Sequence, residues 1–287
     1  LKHTGSFQKT AVNRALQSVG PRGLEAAANR LQDPDTATGA STFLISQGDA
    51  AVPYVLRALK SADDATRLAA AEAAGKLRAS GASEDLMRLY KAAQGPAKGA
   101  YFNALAELGF PPTFSELALV LRENPERGYR SQAALGLGRI GSAEAVAVLW
   151  EQYGRAQEDL RPALLAALHL AGDGAFAQPP SVSAGIQVAT GVRSAAADAY
   201  LAEVLEHGSK EDIKAALRAS SYRPSLRRAL TSVLWRSDPQ SEGDIADAAI
   251  AALMTTEDGR AALEAQRDGP WAGMIQRRLA VSRSEAE

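Results

Sequence analysis

The chain of 287 residues contains no cysteine. Disulfides, thiolate nucleophiles and Cys-type zinc sites are therefore excluded. Histidine is nearly as scarce, with only His3, His169 and His207. Aromatic residues make up 6% of a chain that is 46% hydrophobic, so the apolar content is mostly Ala and Leu. These two residues lose little side-chain freedom in a helix. Alternating runs of Val, Ile and aromatics are nearly missing, which leaves little to build a sheet from. No apolar run reaches the ~18 residues a membrane-crossing helix needs. No charge excess exists either: Lys and Arg total 32, Asp and Glu 33, for a formal net charge of −1. A dedicated nucleic-acid binder usually shows a basic excess. The opening LKHTGSF lacks an initiator Met. Export to the periplasm of a processed chain is expected ahead of a cytoplasmic location, with a trimmed chain as the other reading.

What is present is a pattern of paired helices. In AVPYVLRALKSADDATRLAAAEAAGKL (51–77), Val52, Val55, Leu56 and Leu59 fall on one helical stripe. Pro53 falls in the first turn, where its missing N–H costs nothing. Ser61-Ala62-Asp63-Asp64 supplies N-cap side chains and negative charge to a second helix beginning near Ala65. Similar endings recur: FNALAELG, ALGLGRIG and LAALHLAG close at Gly109, Gly141 and Gly172, with a weaker copy closing at Gly48. Glycine just past a helix end is a favoured cap, and helix pairs repeating at about 30–45 residues are a stacked-repeat signature. Leu77, Leu108 and Ile140 share this spacing and are expected to be buried at equivalent positions.

The helix pairs expected are 24–47, 51–79, 83–109, 114–140 and 144–171, then 195–220 and 225–256, with a terminal helix at 270–281. Residues 1–23 read as an N-terminal cap carrying a helix at 6–19, and 24–172 as the regular repeats. Residues 173–194, with Pro179-Pro180 and several Gly and Ser, break the pattern and read as an insertion or connector. Residues 195–287 read as divergent repeats and a C-terminal cap.

This pattern resembles the HEAT-repeat family, in particular the short HEAT-like repeats of phycobilisome lyases. The residues that carry the resemblance are Ala51-Val52-Pro53, Asp63-Asp64, Arg67, Ala70-Ala71 and Gly75-Lys76-Leu77. A second copy has Asn124, Glu126, Arg130 and the run from Ala133 to Gly141. The resemblance implies an all-α fold, an α-solenoid of about seven helical hairpins. It also implies that the second helices line a concave face, and that Arg67, Arg130 and Arg161 join an Asp/Arg ladder along the stack.

Chemistry is hard to find. His169 lies in an apolar helix and His207 at a helix end, neither beside a partner motif. The paired His-Glu dipeptides of di-iron HEAT-repeat hydroxylases are missing. Asp63-Asp64 and Glu211-Asp212 sit where helix N-termini are expected and read as caps, not calcium ligands. No catalytic, cofactor or metal residue is assigned. Two basic clusters keep a nucleic-acid reading in view: Lys2, Lys9, Arg14, Arg22 and Arg30, then Tyr222, Arg223, Arg227, Arg228, Trp235 and Arg236. Acidic residues follow the second at once, and nucleic acid is not the expected partner.

The function expected is a non-catalytic scaffold or adaptor that presents its surface to a protein partner. The alternatives are a lyase or chaperone of the bilin-lyase type and, third, a DNA-binding HEAT-like protein. Glu72, Lys76, Asn103, Glu107, Gln132 and Arg139 lie among apolar positions of second helices, should point outward, and form the candidate partner surface. Trp150, Trp235 and Trp271 are possible anchors, though burial between repeats is the preferred reading for each; Trp235 is kept among the candidates.

Overall fold

A computed structural model describes residues 20–266 and 268–284. The N-terminal helix expected at 6–19, His3 and the basic residues Lys2, Lys9 and Arg14 lie outside the described residues. The described chain is all helical, with 17 α-helices and no strand. It divides into two compact units, the first ending at Ala171 and the second beginning at Gly172.

Unit 1 holds α1 (Pro21–Asn29), α2 (Pro34–Ser46), α3 (Val52–Ala58), α4 (Asp64–Lys76) and α5 (Ser83–Ala92). It continues with α6 (Gly95–Leu108), α7 (Phe114–Glu123), α8 (Arg127–Ile140), α9 (Ala143–Arg155) and α10 (Arg161–Ala171). The caps follow from the sequence. Pro53 opens α3, and the Asp63 carboxylate accepts the Thr66 amide N–H at 2.7 Å to cap α4. Gly48, Gly109 and Gly141 adopt φ of +58°, +56° and +62° in the turns that follow α2, α6 and α8. After α4 the same duty falls to Arg78, at φ +50°.

Each hairpin packs α1 on α2, α3 on α4, and so on to α9 on α10, while α2, α4, α6, α8 and α10 also pack on one another in succession. The second helices can approach closely because small residues face each other. A Cβ on Gly75 would lie 3.0 Å from the Cα of Ala104, and one on Gly136 would lie 2.9 Å from the Cα of Ala106. Gly138 meets the backbone of Ala167 more tightly still.

The buried register differs from the one expected. Leu108 is fully buried, but Leu77 and Ile140 are half-buried. The equivalent positions that are all buried lie one turn earlier: Ala74, Leu105, Leu137 and Leu168. A turn before these, Ala70, Tyr101, Ala133 and Leu164 form a second buried row. Leu77, just past the end of α4, and Ile140, the last residue of α8, are only partly covered, while Leu108 at the end of α6 is enclosed.

Unit 2 holds α11 (Val182–Gly191), α12 (Ala195–His207), α13 (Lys210–Ala219) and α14 (Arg227–Arg236). It ends with α15 (Gly243–Met254), α16 (Glu257–Glu264) and α17 (Ala272–Ser284). Within 173–194, read as an insertion or connector, Val182–Gly191 is a helix capped by Ser181 that packs on α12 and α13. Its apolar residues Ile186 and Val188 are core, and Phe176 stands 5.6 Å from the Tyr200 ring. Here α11 packs on α12 and α13, α12 on α13 and α14, α13 on α15, α14 on α15 and α16, and α15 on α16 and α17.

Candidate functional site

Four of the seven residues singled out from the sequence come together. Glu72 and Lys76 on α4, with Asn103 and Glu107 on α6, line one open groove of about 530 Å³. Its floor is made by small side chains, chiefly Ala69, Ala97, Ala100 and Ala104. The close approach of α4 and α6 at Gly75 and Ala104 makes the valley, and the long polar side chains stand at its edges.

Within it Lys76 Nζ donates to Glu72 Oε1 at 2.6 Å. That hydrogen bond, aided by the charges of Glu72 and Glu107, holds the Lys76 ammonium above its ordinary pKa. Both partners are well exposed, so the pair contributes little to stability. Lys76 is thus largely compensated by Glu72, and the edge formed by Glu107 carries the excess negative charge.

The other candidates lie elsewhere. Gln132 and Arg139 sit half-buried on α8 and do not line the groove. Arg139 Nη1 donates to the Ala106 carbonyl at 3.3 Å, which ties α8 back to α6. Trp235, in unit 2, is half-buried, and its ring lies where a side chain on Gly269 would have to be. Trp150 and Trp271 are core residues, each 5% exposed.

The arginines expected to form an Asp/Arg ladder do something different. Arg67 Nη1 donates to the Ser61 and Ala62 carbonyls at 2.7 and 2.8 Å, and its Nη2 pairs with Asp64. Arg130 Nε donates to the Leu121 carbonyl at 3.0 Å, and Arg161 lies over the Tyr153 ring. All three act inside their own hairpin, where Arg67 and Arg130 satisfy carbonyls left over in the turn or the last helical turn. Hairpin-to-hairpin ion pairs come from other residues, such as Arg122 with Glu151 at 2.8 Å and Arg127 with Asp159 at 3.8 Å.

The second basic cluster is largely spent on structure. Arg223 is only 3% exposed. Its Nε donates to the Ala219 carbonyl at 3.0 Å and its Nη2 to the Val192 carbonyl at 2.7 Å. Further bonds reach the Ala189 carbonyl and the Asp198 carboxylate, whose other oxygen accepts the Ser225 hydroxyl. One guanidinium therefore joins α11, α12 and α13. Arg236 donates to the Leu205 and Glu206 carbonyls at the end of α12. Tyr222, Arg227 and Arg228 remain exposed. Sequence reasoning grouped these arginines by composition and had no means to see that Arg223 is internal.

His169 is half-buried on α10, with an Nε2 that finds no hydrogen-bond partner among the described residues, and His207 is exposed within 3.9 Å of Glu203 and 3.8 Å of Glu206. Among the described residues no three His, Asp or Glu side chains gather as a metal site requires. None of the described helices is long and apolar enough to cross a membrane. No protein-family model matches this chain, and no curated protein matches it in sequence.

Proposed function

We propose that each unit is a short run of HEAT-like hairpins in an α-solenoid architecture, and that the chain is a non-catalytic scaffold that binds a protein partner along its second helices. The succession in which α2, α4, α6, α8 and α10 pack on one another in unit 1, and α11, α13, α15 and α17 in unit 2, supports the architecture, since a repeat of this kind gains its core only from its neighbours. The observation that carries the binding reading is the α4–α6 groove, which gathers Glu72, Lys76, Asn103 and Glu107 over a floor of alanines. Apolar floor, polar rim and charges of both signs suit a protein surface better than a polyanion.

The test begins with a partner captured from the native host and identified by mass spectrometry. Affinity is then measured for Lys76→Glu and Glu107→Lys. Each reversal should weaken binding by about tenfold or more. Unchanged affinity for both, with loss on changes in residues 173–194, would move the site away from the groove.

A further inference from the structure

Tyr222 is the most exposed large apolar side chain among the described residues, at 73%. It is also one of only two described non-glycine residues with positive φ, at +60°. An L-residue rarely adopts this conformation, and it persists only where the surroundings impose it. Here they do. The Tyr222 N–H donates to Thr255 Oγ1 at 2.8 Å, and the Ser221 carbonyl accepts from Arg193 Nη1 at 3.0 Å. Arg223, next in the chain, is fixed by the buried network described above. The backbone is held on both sides of Tyr222 while its phenol ring is left in solvent. Among the described residues no other ring or cation pairs with it.

The ring stands at the edge of a second open groove, of about 600 Å³, between α12 and the loop 222–226. The apolar lining includes Ala195, Ala199, Ala202 and Pro224. Three charged residues border it: Arg193, Asp198 and Arg223. Asp198 and Arg223 neutralise each other, and the second Asp198 oxygen is occupied by Ser225. Exposed Arg193 is the one of the three with no ion-pair partner among the described residues.

We infer that this groove docks a linear peptide segment of a partner protein that carries a carboxylate beside an apolar residue, with Tyr222 as the anchor and Arg193 as the counter-charge. A tyrosine on a fixed backbone has only two side-chain torsions to lose and offers large contact area, and such residues are enriched among those that dominate binding energy. An apolar floor beside one guanidinium that is tied to a carbonyl but to no described carboxylate fits a short acidic peptide. A nucleic acid would need several phosphate contacts. The inference rests on unit 2 alone and is independent of the α4–α6 groove.

The probe is a phage-displayed library of short random peptides selected on the full chain, followed by fluorescence polarisation with the synthesised consensus peptide. The recovered peptides should carry Asp or Glu close to an apolar residue. Their affinity should fall by about tenfold or more on Tyr222→Gly and on Arg193→Glu. Tyr222→Gly removes the ring and the backbone strain together, so it should unfold at the same temperature as the wild type or higher. Tyr222→Asn, which also tolerates positive φ, should show the same loss. Failure to recover any peptide, a consensus without acidic residues, binding that survives loss of the ring, or displacement by oligothymidine each overturns the inference.

Discussion

Replacing Gly138 by alanine probes the contact between second helices at its tightest point. Gly138 lies in α8 facing α10. A Cβ there would overlap the Ala167 carbonyl oxygen and come 2.8 Å from the Ala167 Cα and C atoms. All of these are backbone atoms, so no rotamer change relieves the clash, and α8 and α10 must part. Forcing one methyl into a filled core costs about 1–3 kcal/mol. Alanine returns up to about 1 kcal/mol through its better helix propensity. Separating the helices also loosens Leu137 against its neighbours, so the net loss should fall near 2 kcal/mol, within the overpacking range. Gly128, in the first turn of the same helix, is the internal control, because nothing lies within 4 Å of its Cβ position. Gly128→Ala should raise stability by about 0.5–1 kcal/mol. Urea unfolding followed by circular dichroism measures both variants. If Gly138→Ala shifts the midpoint no more than Gly128→Ala does, the close approach of α8 and α10 is wrong.

Leu137→Ala should cost about 2–5 kcal/mol, and Ile140→Ala clearly less, in the same unfolding assay. Arg223→Ala should destabilise unit 2 by about 3–5 kcal/mol, because it strands Asp198 and several carbonyls; a change under about 1 kcal/mol would remove Arg223 from the network. Arg78→Gly should raise the melting temperature, since the left-handed conformation costs an arginine about 1–2 kcal/mol, more than the flexibility glycine adds to the unfolded chain. The Thr66 hydroxyl and amide lower the Asp63 pKa, Arg122 lowers that of Glu151, and Lys210 lowers that of Glu242. Depressed folded-state values mean stability present above the ordinary carboxylate range and lost as pH falls through them. The urea midpoint should therefore hold above about pH 5 and decline below about pH 4, and Asp63→Asn with Glu242→Gln should flatten the decline.

The helices of unit 1 were legible from local signals: the apolar stripe, the Asp33, Asp63 and Ser142 caps of α2, α4 and α9, and the glycines after α2, α6 and α8. In 51–77 the stripe, Pro53 and the Asp63 cap were enough to read the pairing, although Arg78 stands where the other pairs have glycine. Residues 182–191 were harder, since Pro179-Pro180 and the glycines point to a loop while Ile186 and Val188 point to a core, and tertiary packing on α12 and α13 decides between them. The groove was legible in part. Glu72, Lys76, Asn103 and Glu107 recur on successive second helices, so one register places all four together. Arg139 shares that register, yet its long side chain reaches the Ala106 carbonyl, a choice that no spacing rule records. Arg223 and Arg227 look alike in the sequence, and only the fold makes one internal and the other exposed.

Site-specific photo-crosslinking tests the central claim most directly. A photoreactive amino acid is placed at Asn103, inside the α4–α6 groove, or at Leu119, exposed on α7, and the chain is irradiated in its native host. The scaffold reading predicts a discrete protein adduct from position 103, absent from position 119 and reduced by Lys76→Glu or Glu107→Lys. Equal adducts from both positions, or none from position 103, would contradict it.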